Sequence, residues 1–148
     1  MIRVQTEDFD IGAEIAALKE NRTDIGAIVT FTGTVRDQGG DITEMALEHY
    51  PGMTEKELER IEAEAHGRWP LQACLIVHRT GTLKPGDNIV LVVTASAHRD
   101  AAFDAARFLM DYLKTNAPFW KRETGPRGSE WVEAKTSDDY AAARWHGR

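Results

Sequence analysis

Ile89-Val90-Leu91-Val92-Val93-Thr94-Ala95 is the stretch on which the fold turns. A half-solvated strand alternates apolar with polar residues, whereas this run is uncharged, unbroken and mostly β-branched, so it reads as a central strand covered on both faces. Upstream, Lys84-Pro85-Gly86-Asp87 forms a turn, and a second strand is expected from Ala73 to His78. Downstream, a helix begins near Asp100 with Phe103, Ala106, Met110 and Leu113 at helical spacing, and Pro118 stops it.

From Ile25 to Val35 the odd positions are apolar or glycine, and Thr30, Thr32 and Thr34 fall between them. That period of two predicts a strand. Asp37-Gln38-Gly39-Gly40-Asp41 interrupts it as a mobile loop with the makings of a lid, and Met45 and Leu47 resume the pattern through His49. After Pro51-Gly52, Thr54 followed by Glu57 reads as a capping box that opens a helix with apolar Leu58, Ile61 and Ala65, ended by Pro70. Phe119-Trp120-Lys121-Arg122-Glu123 and Glu130-Trp131-Val132-Glu133-Ala134, separated by Gly125-Pro126-Arg127-Gly128, predict a terminal hairpin, and the tail from Thr136 is expected to be loose. The whole, residues 1–148, reads as a single α+β domain with mixed or antiparallel pairing.

The chain has 148 residues, 42% hydrophobic and 28% charged, which suits one soluble core without disulfides or structural metal. Its net charge of −6 argues against a nucleic-acid-binding face built on clustered cations. No stretch approaches the ~20 apolar residues of a membrane span and the N-terminus lacks an apolar signal core, so a cytoplasmic protein is expected. The single cysteine, Cys74, lies in Ala73-Cys74-Leu75-Ile76-Val77 and reads as a small buried hydrophobe.

Metal chemistry is disfavoured, since His49, His66, His78, His98 and His146 offer no close ligand pair and no His-Glu helix motif. Phosphate-binding glycine loops and a nucleophile elbow are absent as well. The positive signal is a reversal of charge: Lys114, Lys121, Arg122 and Arg127 surround one acid, Glu123, in an otherwise acidic protein. Such an island can hold a small anion, or it can be a helix-ending lysine followed by exposed strand cations. His98-Arg99 at the start of the second helix and Arg36 at the end of the first strand are further candidates for an anion site; for Arg36, His49 and His78-Arg79 packing or capping is the competing reading. Lysines facing other cations in a partly buried site are suited to acid, base or nucleophile work, which singles out Lys114 and Lys121. Phe119 and Trp120 lie between them. Strand alternation puts Phe119 on the face of Lys121, with one aromatic walling a channel, or both rings belong to the core.

Five ordered blocks carry a family resemblance. They are Phe31-Thr32-Gly33-Thr34-Val35-Arg36, Leu47-Glu48-His49-Tyr50-Pro51-Gly52-Met53, His78-Arg79-Thr80-Gly81-Thr82-Leu83-Lys84-Pro85-Gly86-Asp87, Ser96-Ala97-His98-Arg99 and Met110-Asp111-Tyr112-Leu113-Lys114-Thr115-Asn116-Ala117-Pro118-Phe119-Trp120-Lys121-Arg122-Glu123. Over nearly its whole length the chain resembles the large, catalytic subunits of molybdopterin synthase. The resemblance implies an α/β hammerhead-type domain with an additional antiparallel β subdomain, and a sulfurtransferase of molybdenum cofactor biosynthesis. It implies that cyclic pyranopterin monophosphate (precursor Z) is converted to the molybdopterin dithiolene, with sulfur delivered from the C-terminal Gly-Gly thiocarboxylate of a small ubiquitin-like partner subunit. A homodimer core of a heterotetramer is implied, and no cofactor, metal, nucleic acid or membrane. Lys114 and Lys121 match the family's essential lysines, and Thr34, Val35, Arg36, His98, Arg99, Arg122 and Glu123, with both lysines, match positions that line the pterin and phosphate pocket. Lys135 stands where an arginine is common in the family. The alternative, from another class, is a non-catalytic anionic-pterin-binding or scaffold subunit, which would have no need to retain both lysines.

Overall fold

The computed structural model describes residues 1–37, 39–126, 128–132 and 143–145. In chain order the elements are β1 (Ile2–Gln5), α1 (Ile11–Lys19), β2 (Ala27–Thr34), β3 (Glu44–His49), α2 (Met53–Arg68), β4 (Leu71–Arg79), β5 (Gly81–Leu83), β6 (Asn88–Ser96), α3 (Arg99–Thr115), β7 (Phe119–Gly125) and β8 (Gly128–Val132). They build an α+β fold with two four-stranded sheets, in the orders β1-β4-β6-β2 and β5-β3-β7-β8. The first sheet with its helices is the hammerhead part, and the second is the added antiparallel subdomain. Only β1 with β4 is parallel; every other pairing is antiparallel.

The run from Ile89 forms the middle of the first sheet, as its composition predicts. Alternation divides β4 and β6 between two cores. Ile76, Val90 and Val92 face α2 and α3, where they meet Ile61, Ala65, Phe108 and Leu109. Leu75, Val77, Leu91 and Val93 face the opposite way, against Phe9 and the half-buried Ile11 and Leu18 of α1. A smaller cluster of Val35, Met45, Leu47 and Leu83 lies under the second sheet. Cys74 is buried in the first of these cores, where burial and then the nearby Glu62 carboxylate push its thiol up to about 12.

Three local readings change. The helix after Pro51 starts at Met53 with Gly52 as N-cap, and the Glu55 carboxylate accepts the Gly52 N–H at 3.0 Å. Thr54 is instead buried: its hydroxyl accepts the Tyr50 N–H and donates to the Pro118 carbonyl, both at 3.0 Å, so it ties two segments together rather than capping. In α3 the buried residues are Ala102, Ala105, Ala106, Phe108, Leu109 and Tyr112, while Phe103 is 59% exposed. At its N-terminal end alanines let the helix lie close enough to the sheet for the Thr94 hydroxyl to donate to the Ala102 carbonyl at 2.7 Å, so at that close approach Phe103 is left outside. Finally, β1, α1 and the short β5 were not anticipated. For α1 the signal was present in Ile11, Ile15 and Leu18 behind Asp10, whose carboxylate accepts the Ala13 N–H.

The predicted hairpin is present as β7 and β8, paired from Lys121↔Val132 to Gly125↔Gly128. Of the tail after Thr136, only 143–145 belong to the described residues. There Trp145 is buried against Trp69 and Phe108 and its Nε1 donates to Asp111 at 2.6 Å.

Candidate active site

The two sheets and the end of α3 enclose a cavity of about 450 Å³. Its apolar wall includes Phe31 and Gly33 of β2, Met45 and Leu47 of β3, and Met110 and Leu113 of α3. Gly33 is required by close approach, because a Cβ there would lie 2.9 Å from a Val90 methyl. The polar side is formed by Thr34, His78, Lys114, Thr115 and Lys121.

Lys114 projects from the last turn of α3, and Lys121 stands on β7. What fixes their relative position is the crossing between these elements. The Asn116 N–H closes α3 on the Tyr112 carbonyl at 2.8 Å, the Phe119 N–H bonds the Ala117 carbonyl at 2.8 Å, and Thr54 holds the Pro118 carbonyl. Lys114 is exposed at the cavity's rim and Lys121 is half-buried. Cations here meet the helix's negative end, which favours Lys114 at that position.

Both aromatics between the lysines line the cavity, so the expected division between wall and core does not hold. Phe119 stacks on the His78 ring at 3.7 Å between centroids and 14° between planes. Trp120 meets Tyr50 edge-on at 4.6 Å and its Nε1 donates to Glu48 at 3.3 Å. His78, for which packing was the competing reading, is a buried member of the cavity wall. Its pKa is lowered to about 4, by burial first and then by the charges of Lys114 and His49. Arg79 beside it is structural: its guanidinium donates to the carbonyls of Thr6 and Asn88. His49 Nε2 lies 3.7 Å from Glu55 Oε1.

The remaining expected site residues lie apart from this cavity. Val35 is 2% exposed and belongs to the core beneath the second sheet. Arg36 follows it in the exposed loop entry, where the Asp37 carboxylate accepts the Ile42 N–H and Gly39 and Gly40 take positive φ. Arg122 alternates with Lys121 on β7, so it faces the other side of the sheet and lies 5.8 Å over the Trp131 ring. Glu123 is half-buried on the Lys121 face, opposite Met45, beyond the cavity lining. His98 and Arg99 are exposed at the start of α3. Arg99 and Lys114 therefore sit at opposite ends of one helix, ~22 Å apart at the α-helical rise. Gln38, Arg127, Lys135 and His146 lie outside the described residues. Among the described residues no cluster of three or more His, Cys, Asp or Glu could hold a metal ion, and no helix is long and apolar enough to cross a membrane.

The arrangement is a cleft of mixed polar and apolar lining with amines at its mouth, open enough for a small planar anion and the end of an extended peptide. Comparison with known proteins gives it a context. The chain is 60% identical over 146 residues to the molybdopterin synthase catalytic subunit of Mesorhizobium japonicum, covering 97% of this chain and 92% of that one. It is 54% identical to the molybdopterin synthase catalytic subunit of Escherichia coli, covering 97% of each. The solved molybdopterin biosynthesis MoaE protein of Burkholderia ambifaria superposes with a TM-score of 0.84 at 55% identity, covering 100% of this chain and 99% of that one. The sequence model of the MoaE protein matches residues 4–116, and the chain belongs to the MoaE family, that of the molybdopterin synthase catalytic subunits.

Proposed function

We propose that this chain acts in the cytoplasm as the catalytic subunit of a molybdopterin synthase, taking sulfur from the C-terminal thiocarboxylate of a small ubiquitin-like partner and placing it on cyclic pyranopterin monophosphate. The observation that carries this is that Lys114 and Lys121, which the resemblance matches to the family's essential lysines, line one cleft. In each transfer the thiocarboxylate sulfur attacks a substrate carbon that bears oxygen: a C–S bond forms, the C–O bond at that carbon breaks, the oxygen leaves with the electron pair and is protonated, and the partner stays attached as a thioester. Water then cleaves the acyl–sulfur bond, which releases the partner as a carboxylate and leaves the sulfur on the pterin. Lys114, at the mouth, is nearest the acyl carbon and stabilises its developing oxyanion, and Lys121 assists proton transfer on the pterin side.

Arg36, Arg122 and Glu123 lie off the cleft of this chain, so among the expected anion ligands His98 and Arg99 are the ones assigned to the substrate's phosphate, through charge-assisted hydrogen bonds. A roughly spherical cavity of this volume is about 10 Å across, so a ligand in it cannot also reach Arg99 of the same chain. His98 and Arg99 then serve the cleft of a second copy, and the working unit is a homodimer with a small partner at each cleft.

Incubating the purified chain with thiocarboxylated partner and precursor Z yields molybdopterin, measured as its fluorescent oxidation product. Tight pterin binding without any product would establish the non-catalytic binding subunit instead.

A further inference from the structure

Of the cleft's polar side chains the two lysines and the Trp120 indole can only donate hydrogen bonds and the Thr34 and Thr115 hydroxyls can do both, while His78 offers an acceptor on a ring held in place. His78 Nδ1 lies 2.8 Å from the Arg79 carbonyl oxygen. A carbonyl can only accept, so Nδ1 carries the ring proton, and in a neutral imidazole Nε2 is left as a lone-pair acceptor. The ring cannot swing away. It is 8% exposed and stacked face to face on Phe119, which β7 presents between the two lysines.

The surroundings keep this ring neutral. Lys114 approaches from α3 with its positive charge and the His49 ring comes from β3, while Arg79 on β4 is engaged by Thr6, Asn88 and Asp8. The nearby Glu55 carboxylate is turned to His49 and to the Gly52 N–H. A neutral acceptor fixed in the wall of a cleft whose rim amine is Lys114 has one evident use.

We propose that His78 is a positioning residue: its Nε2 accepts a hydrogen bond from the Lys114 amine and holds that amine over the cleft. Its effect on turnover rests on the catalytic reading of Lys114 given above, whereas the contact itself does not. The tether would restrict a long, exposed side chain to the one direction in which it meets an acyl group entering the cleft, since a lysine free to sample solvent spends little time there.

Two substitutions separate the halves of the ring. His78→Asn keeps an N–H donor near Nδ1 for the Arg79 carbonyl and removes Nε2; His78→Gln extends a carbonyl toward the Nε2 position. The contact is read by trace acetylation of the intact chain with acetic anhydride, quantifying each lysine by mass spectrometry, with Lys19, Lys56 and Lys84 as internal references. Released from its acceptor, Lys114 in His78→Asn reacts about fivefold faster relative to those references, and His78→Gln returns most of the way to the wild-type ratio. Nitrogen-15 spectra at pH 7 show the neutral ring with its proton on Nδ1. In sulfur transfer, His78→Asn lowers kcat about tenfold with KM for the partner unchanged, and His78→Gln recovers most of the rate. Unchanged Lys114 labelling in His78→Asn, or a ring protonated on Nε2, overturns the proposal. A wild-type chain that shows the labelling contrast but forms no molybdopterin overturns the catalytic reading and leaves the tether standing.

Discussion

Lys114 and Arg99 occupy opposite ends of α3, and their separation can be converted into a complementation experiment. Let one protomer carry Lys114→Ala and its partner Arg99→Ala. Loss of the lysine removes the amine at the cleft mouth and should abolish transfer. Loss of Arg99 removes a charge-assisted hydrogen bond worth ~1.5–3 kcal/mol, which lowers the rate at subsaturating substrate by about 10- to 150-fold. Each variant alone is therefore nearly inactive as a homodimer. In a dimer isolated through two different affinity tags, a cleft that takes its lysine from one chain and its arginine from the other is intact once and doubly damaged once. Such a dimer has about half the wild-type activity, because one of two equivalent sites works. If a single chain supplied both residues, one site would lack its lysine and the other its arginine, and the mixed dimer would remain below about a tenth of wild type. Single-turnover molybdopterin formation distinguishes the two, and failure of the mixed dimer to recover refutes the assignment of His98 and Arg99 to a second copy's cleft.

Lys114→Ala abolishes sulfur transfer and Lys121→Ala leaves a small residual rate, while circular dichroism of both matches wild type because neither side chain fills a core position. Wild-type turnover in Lys114→Ala defeats the role given to it. Acid sensitivity follows from His78, which the folded chain holds neutral down to about 4 whereas an ordinary histidine protonates near 6.5. Between those values the unfolded chain binds the extra proton, so stability is full above 6.5 and declines as pH falls toward 4, by about 3 kcal/mol in all. Urea midpoints at pH 7 and pH 4.5 show this drop in wild type and a clearly smaller one in His78→Asn. Two glycines make a stability pair: Gly125→Ala places a Cβ 2.0 Å from the Asp41 carbonyl oxygen and costs about 1–3 kcal/mol. Gly67→Ala, in α2 with nothing within 4 Å, gains about 0.5–1 kcal/mol, and thermal melting should show the two shifts with opposite sign.

The central strand, the two long helices and the terminal hairpin were legible because each rests on local periodicity or turn chemistry. Of the expected α3 stripe Ala106 is buried and Met110 and Leu113 pack against the core, but Phe103 was misplaced, since the adjoining positions that face inward are the small Ala102 and Ala105. The reversal of charge around Lys114 and Lys121 marked a segment that lines the cavity. It could not tell that Arg122, next to Lys121, belongs to the other face until β7 was a strand with a register. His78 was harder still. Whether a histidine at a strand end packs, caps or lines a cavity depends on what crosses above it, and here that is Phe119, 41 positions later in the chain. The cleft itself is a property of two sheets meeting a helix end, which no single stretch of sequence encodes.

Cys74 gives the chemistry a further character. The chain has one sulfhydryl, and it is sealed beneath α2 and α3 with its thiol pushed up to about 12 by burial and the Glu62 carboxylate. A thiol that neither ionises nor meets solvent cannot capture a persulfide, exchange with glutathione or climb the oxidation ladder. A protein proposed to pass sulfur between two other molecules thus offers no sulfur of its own as a competing acceptor. Mixed-disulfide poisoning, the common hazard of such traffic, has no starting point here, and the catalyst stays indifferent to the redox poise of its surroundings.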